Sequence, residues 1–267
     1  MIRDITIGQY YPAKSPIHRM DPRTKLFGTL IFIISVFLFH SVAGYAVATL
    51  FLAGMIIISQ VPVKFIFKGL KAIFMILMIT MVFNILLTPG EVLWKIGIFK
   101  ITREGISMAV RMAIRLVYLV IGSSLMTLTT TPNQLTDGLE KSLRPLNKIH
   151  IPVHEIAMMM SIALRFIPIL LEETDKIMKA QIARGADFES GNLIQKVKNM
   201  VPLLVPLFIS AFRRANDLAM AMEARCYHGG DNRTQMKPLR YTRRDHIAYV
   251  VLFVYLAVAI GFRMMGW

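Results

Sequence analysis

Two tripeptides carry the chemistry that is easiest to name in this chain: Ala183-Arg184-Gly185 and Ala224-Arg225-Cys226. Each ends a stretch that begins apolar and turns charged, and each is followed by chain-breaking sequence, Gly191 after the first and Gly229-Gly230 after the second. A guanidinium is a planar fork of N–H donors that keeps its charge at any physiological pH. Held at a helix end between residues too small to block approach, it can enter a groove on another protein and make several directed hydrogen bonds there. One such tripeptide also reads as an arginine complementing the negative end of a helix macrodipole. Two of them, in the same setting, point to two docking points for a pair of similar cytosolic subunits.

Other chemistries find less to work with. There is no Gly-x-x-x-x-Gly-Lys-Ser/Thr loop, so ATP chemistry has to come from other subunits, and neither His-Glu-x-x-His nor Gly-x-Ser-x-Gly occurs. Asp and Glu avoid the long apolar runs, which leaves no carboxylate pair for a proton relay or ion path. His150, His154 and Glu155 approach metal-ligand spacing, but Pro152 interrupts the helix that i,i+4 ligation needs, and no metal site is expected. Cys226, the one cysteine, excludes an internal disulfide and reads as a small spacer. The alternative to a non-catalytic coupler is a membrane-embedded lipid- or isoprenoid-modifying enzyme. Such an enzyme gathers carboxylates around Mg²⁺, whereas Asp175, Asp187, Asp217 and Asp231 are scattered.

The elements that must position the arginines follow from composition. Across 267 residues, 55% are hydrophobic and the net charge is +15, so apolar and charged residues must be segregated along the chain. A basic excess of this kind suggests nucleic acid, but hydrophobic spans with positive-inside loops produce it equally, and no nucleic-acid partner is expected. Met1 to Lys25 is polar, with no short apolar core before a small-residue cleavage site, and no removable signal peptide is expected. No Asp, Glu, Lys or Arg lies between Lys25 and Lys64, a stretch nearly twice the ~20 residues of one crossing, so it predicts a helical hairpin turning around His40-Ser41-Val42-Ala43-Gly44. Ala72–Pro89 predicts a third span, the interior of Ile106–Thr131 a fourth and Ile247–Phe262 a fifth. Arg111 and Arg115, one turn apart in the fourth, either snorkel to the outer interface, pair inside the bundle or meet a partner. Five Lys/Arg before the first span, against none in the hairpin turn, place the N-terminus and the 132–245 insert in the cytoplasm of a cell-membrane protein.

The insert opens with a threonine cap candidate and Pro132 at a first helical position, then Leu135, Leu139 and Leu143 at four-residue spacing: a short amphipathic helix. From Pro152 to Arg184 an apolar face of Ile156, Met159, Met160, Ala163, Ile167, Leu170 and Leu171 predicts a long helix with Pro168 as a kink. From Leu193 to Arg225 the plan repeats, with Pro202 and Pro206 in its apolar half. The class is therefore all-α, a polytopic membrane protein of about five transmembrane helices with a coupling region of long amphipathic helices. It divides into an N-terminal segment 1–25, a four-span region 26–131, the coupling region 132–245 and a last helix 246–267.

Four stretches carry a resemblance: Gly8-Gln9-Tyr10-Tyr11-Pro12, Met20-Asp21-Pro22-Arg23-Thr24-Lys25-Leu26, Ala163-Leu164-Arg165-Phe166-Ile167-Pro168, and the paired Ala-Arg-small ends. Together they resemble the transmembrane T component of energy-coupling factor transporters over nearly the whole chain. The resemblance implies a subunit that is not itself an enzyme and holds no cofactor. Its coupling helices touch two cytosolic ABC-type ATPases that bind ATP and Mg²⁺, and its apolar surface holds an S component that carries a vitamin or other micronutrient. Carried over, Arg184 and Arg225 are the docking arginines, flanked by Ala183, Gly185, Ala224 and Cys226. Cys226 departs from a strict Ala-Arg-Gly and puts the glycine-like end of its helix in question.

Overall fold

The computed structural model describes residues 10–39, 41–96, 99–188, 192–229, 236 and 238–264. The order of elements is α1 (Pro22–Leu38), α2 (Val42–Ser59), α3 (Val63–Leu87), β1 (Val92–Ile96), β2 (Phe99–Thr102), α4 (Arg103–Thr129), α5 (Pro132–Leu143), a 3-10 turn (Arg144–Ile149), α6 (Val153–Ala183), α7 (Leu193–Glu223) and α8 (Arg243–Met264). The chain divides into two compact units, Gly8–Gly138 with Leu239–Trp267 and, in the middle, Leu139–Pro238.

Local sequence sets most boundaries. α1 begins at Asp21, whose carboxylate accepts the Arg23 amide, with Pro22 at the first helical position where its missing N–H costs nothing. Ser41 caps α2 by accepting the Gly44 amide at 3.1 Å, so the break falls at 39–41, a little before the expected centre; His40 itself lies outside the described residues. α5 starts with a reciprocal box: Thr131 Oγ1 accepts the Gln134 amide and Gln134 Oε1 accepts the Thr131 amide. Between the third and fourth predicted spans, after Pro89, the chain forms an antiparallel β1–β2 hairpin, in register Val92↔Thr102 and Ile96↔Phe99 with an irregularity between Val92 and Trp94. Its Val, Leu, Trp, Ile and Phe fit a pleated strand, a signal obscured by the helical runs on either side.

The outer unit is built on an aromatic core. Phe32 and Val36 of α1, Tyr45, Ala48 and Leu52 of α2, and Tyr255 and Ala259 of α8 are buried together. Phe51 stacks on Tyr255 at 4.3 Å, and the buried Ser35 and Tyr255 hydroxyls meet at 2.6 Å, which satisfies both where water is excluded. By length and apolarity α2, α4, α6 and α8 each suffice to cross a bilayer, and α3 adds a fifth if its halves Val63–Lys71 and Ile73–Leu87, bent by 57°, are one span. This is the all-α polytopic class expected. The set differs in detail: α1, at 17 residues, is only about 26 Å long. α6, read as a coupling helix, is also long and apolar enough to span. Outward-facing apolar side chains such as Leu50 and Phe74 are exposed along these helices, as lipid-facing surfaces require.

Candidate functional site

Gly185 sits at φ +86° and Cys226 at φ +58°, both in the left-handed region. At the end of α6 the Gly185 amide donates to the Ile182 carbonyl at 2.9 Å and the Ala186 amide to the Gln181 carbonyl at 3.0 Å. At the end of α7 the Cys226 amide donates to the Glu223 carbonyl at 2.8 Å and the Tyr227 amide to the Met222 carbonyl at 3.1 Å. Residue for residue these are the same Schellman cap, with the arginine as the last turn residue and the small residue in the left-handed position. The question over Cys226 is thereby answered: cysteine adopts the glycine conformation. It does so against a steric cost of about 1–2 kcal/mol that glycine escapes. A Cβ on Gly185 would meet nothing within 4 Å, so that position calls for glycine by backbone conformation and not by crowding.

All six residues of the two tripeptides are exposed. Among the described residues no ion pair holds either guanidinium. The caps satisfy the terminal carbonyls with backbone donors, so the arginine donors are left pointing at solvent. A macrodipole partner gains only about 0.3–1 kcal/mol and makes no demand on the residues beside it. The shared cap and the small exposed neighbours suit a group that must enter another surface.

The ends are positioned by an antiparallel pairing of α6 and α7. The Glu173 carboxylate takes the Ser210 hydroxyl at 2.9 Å and forms an ion pair with Arg214. Gln181 Nε2 donates to the Pro202 carbonyl at 3.3 Å, and Asn199 Nδ2 donates to the Asp187 carbonyl at 2.7 Å. The contact of Gln181 with Pro202 has a cause in the sequence: the Pro202 carbonyl would ordinarily accept the amide of residue 206, but Pro206 has none, so the oxygen is free for Gln181. Both helices continue through their prolines, Pro168 in α6 and Pro202 and Pro206 in α7. Arg184 lies eleven residues beyond Glu173, and Arg225 eleven beyond Arg214. At 1.5 Å per residue each arm is about 16 Å, and the antiparallel sense sends the two arginines opposite ways from the ion pair, on the order of 30 Å apart. Sequence reasoning missed Glu173, Ser210 and Arg214; the spacing that marks them is the equal offset from each arginine.

His154 Nδ1 meets Glu140 Oε1 at 2.8 Å, joining α5 to α6 in place of any partnership with His150 or Glu155. Among the described residues no three His, Cys, Asp or Glu side chains come together as metal ligands.

A second polar cluster is wholly internal. Asp245, fully buried, accepts the Asp21 amide at 2.8 Å and the Thr242 amide and hydroxyl at 2.7 Å each, tying the start of α8 to the start of α1. Asp21 in turn holds Arg23 through Nε at 3.0 Å and Nη2 at 2.9 Å, and that guanidinium lies 4.0 Å from the Tyr241 ring centre. Lys25, on the polar side of the apolar run Leu26–Leu38, donates to the Thr129 carbonyl at 2.8 Å and the His18 carbonyl at 3.3 Å. Burial pulls its pKa down to about 8, against the smaller opposing effect of Asp245 and Asp21. His18 Nε2 faces the Tyr11 carbonyl at 2.9 Å, a donor role that leaves Nδ1 to accept from Ser15 at 2.7 Å, and burial holds the ring below its usual pKa. At the other end of the same helix pair Arg115 Nη2 donates to the Phe39 carbonyl at 3.2 Å. Lys25 of α1 thus serves the end of α4, and Arg115 of α4 serves the end of α1: of the alternatives left open for Arg115, it pairs inside the bundle.

Comparison with known proteins bears on what this scaffold serves. Residues 13–236 match the family described as CbiQ, cobalt transport protein. Among relatives, the energy-coupling factor transporter transmembrane protein EcfT of Clostridium kluyveri is 58% identical over 262 residues, 97% of each chain. The protein of the same name from Ruminiclostridium cellulolyticum is 55% identical over 260 residues, again 97% of each. That of Bacillus subtilis is 49% identical over 264 residues, covering 98% of this chain and all of that one.

Proposed function

The chain belongs to the CbiQ cobalt transport protein family, and from that premise we propose that it is the transmembrane coupling subunit of an energy-coupling factor importer, docking two cytosolic ABC-type ATPases through Arg184 and Arg225. The observation that carries this reading is the pair of identical caps that present two exposed, unpaired arginines at opposite ends of one antiparallel helix pair. Two similar ATPases need two similar contacts held at a set separation, and the Glu173–Arg214 pair lies midway between them.

In this proposal the chain performs no chemistry; ATP and Mg²⁺ are bound by the ATPases. Their closure moves the two arginine ends, and the α6–α7 pair turns about its central ion pair. That motion reaches the exposed apolar stripe of α7, with Ile194, Val197, Val201, Val205, Phe208 and Phe212 at helical spacing. We assign that stripe to the S component, whose bound vitamin or micronutrient is the cargo. The N-terminus and the 132–245 region face the cytoplasm, in keeping with the basic N-terminal segment. The enzyme alternative asks for carboxylates gathered around Mg²⁺, and among the described residues no three His, Cys, Asp or Glu side chains come together as metal ligands.

Alanine variants test the proposal. Truncating an interfacial arginine that is buried against polar groups costs about 2–5 kcal/mol. Two contacts held on one scaffold act as a bivalent ligand, so one anchor keeps the other near its groove and masks part of a single loss. Arg184→Ala or Arg225→Ala alone leaves a purifiable complex with depressed uptake, and the double variant releases the ATPases from the membrane. Lysine rescues poorly because it lacks the planar fork. Retention of both ATPases and uptake at the unmodified level in the double variant would remove the docking assignment.

A further inference from the structure

α1, α2, α4 and α8 line a partly open groove of about 300 Å³. Its walls are almost wholly apolar, with Phe32, Phe51, Leu125 and Leu252 among them, and Lys25 and Arg244 stand at one end. Seven residues of α1 separate Lys25 from Phe32, and eight of α8 separate Arg244 from Leu252, so the space runs about 11 Å along the helices. Gly28 and Gly122 bring the walls together: a Cβ on Gly122 would press on the Phe32 ring at 2.9 Å, and one on Gly28 would meet Leu252 at 3.2 Å.

A partly open apolar groove between helices that face lipid is filled from the surrounding hydrocarbon, and along its apolar length water finds too few of the two to four polar partners it needs. The occupant is therefore apolar and long. At the charged end Lys25 already donates to two carbonyls, but the Arg244 side chain is exposed and no ion pair holds it among the described residues. Arg243 and Arg244 stand together in the first turn of a helix that itself is apolar enough to span. A hydrocarbon slot with a free guanidinium at its rim is complementary to one molecule abundant in every bilayer.

We propose that this groove holds one acyl chain of an anionic glycerophospholipid, with the headgroup phosphate against Arg244. The lipid completes the packing of α1, α2, α4 and α8, and its charge decides which lipids are retained. This inference stands on α1, α2, α4 and α8 alone and does not depend on the docking role of Arg184 and Arg225.

The full chain, purified in mild detergent with whatever partners accompany it, is washed free of bulk lipid and weighed intact by native mass spectrometry. About one phosphatidylglycerol per chain is expected to remain, and Arg244→Glu should retain it about tenfold less. Thr29→Phe, which places a ring in the slot, should also lose it. A second arm uses phosphatidylglycerol carrying a photoreactive group in its acyl chain, with adducts expected on the α2 segment 51–55 and the α4 segment 122–126. Phosphatidylcholine with the same chain should label these segments about fivefold less. Equal retention by the unmodified chain and both variants would overturn the proposal. So would adducts confined to the outer face of α3, equal labelling by the two lipids, or occupation of the slot by a protein segment.

Discussion

The two charged regions of this molecule treat their charges in opposite ways. Where the start of α1 meets the start of α8, four ionic groups are used internally: Asp245 accepts three hydrogen bonds at zero exposure, Asp21 grips Arg23, and Lys25 is used up on two carbonyls. At the ends of α6 and α7 the arginines are turned outward, on caps complete without them. Charges of the first kind hold helix ends together, and removing one leaves buried partners without a mate. Charges of the second kind do nothing for the fold that a lysine or glutamine would not do. The comparison separates architecture from recognition, although both regions are read from equally plain motifs, Met20-Asp21-Pro22-Arg23-Thr24-Lys25 and Ala-Arg-small.

The largest effect on stability is expected at Asp245. Asp245→Ala strips the acceptor from two backbone amides and a hydroxyl, at about 1–3 kcal/mol for each buried donor left unpaired. We expect a fall of at least about 3 kcal/mol, read as a lower thermal unfolding midpoint in detergent, where Arg184→Ala and Arg225→Ala should each leave that midpoint unchanged. Comparable losses from all three would erase the distinction between the regions.

Lys25 sharpens it through pH. Its folded pKa of about 8 lies below the ordinary 10.5 because burial disfavours the ammonium. Between those values the unfolded chain holds a proton that the folded chain has released, so stability rises with pH across that window and is lost as pH falls through about 8. The full effect is on the order of 2–3 kcal/mol. The measurement is the unfolding midpoint at pH 7.5, 8.5 and 9.5 (chosen to bracket about the folded pKa), in which Lys25→Met should lose the upward slope.

Much of this was legible before the structure. The long helices α6 and α7 fall where apolar periodicity and the repeated charged ends place them, and Thr131-Pro132 starts α5 because its cap chemistry is local. Two things were hidden by their nature. Pairings between helices, such as Glu173 with Arg214 and Lys25 with Thr129, depend on three-dimensional register that the spacing along one chain does not carry. The β1–β2 hairpin is short and apolar, and a four-residue strand beside a 27-residue helix gives too few alternations to stand out. Cys226 is the opposite case: its departure from glycine was plain in the sequence, but only the backbone shows that it takes the same left-handed cap.

The smallest effect follows from that cap. Cys226→Gly removes the steric cost of a side chain in the left-handed region and should stabilise the chain by about 1 kcal/mol, with uptake unchanged. Gly185→Ala should cost a similar amount at the other end. A loss from Cys226→Gly, or no loss from Gly185→Ala, would show that the caps are not equivalent.

Cys226 also supplies the most direct test, because the chain has no other cysteine and this one is exposed beside Arg225. Membranes holding the chain with and without the two ATPases are treated with a thiol-reactive maleimide, and the labelling rate of Cys226 is followed by mass. Docking of the α7 end in an ATPase groove predicts that the thiol reacts freely in the chain alone and is shielded in the complex. Equal labelling in both would contradict it, since an arginine cannot be seated in a partner whose surface leaves the adjacent residue open to reagent.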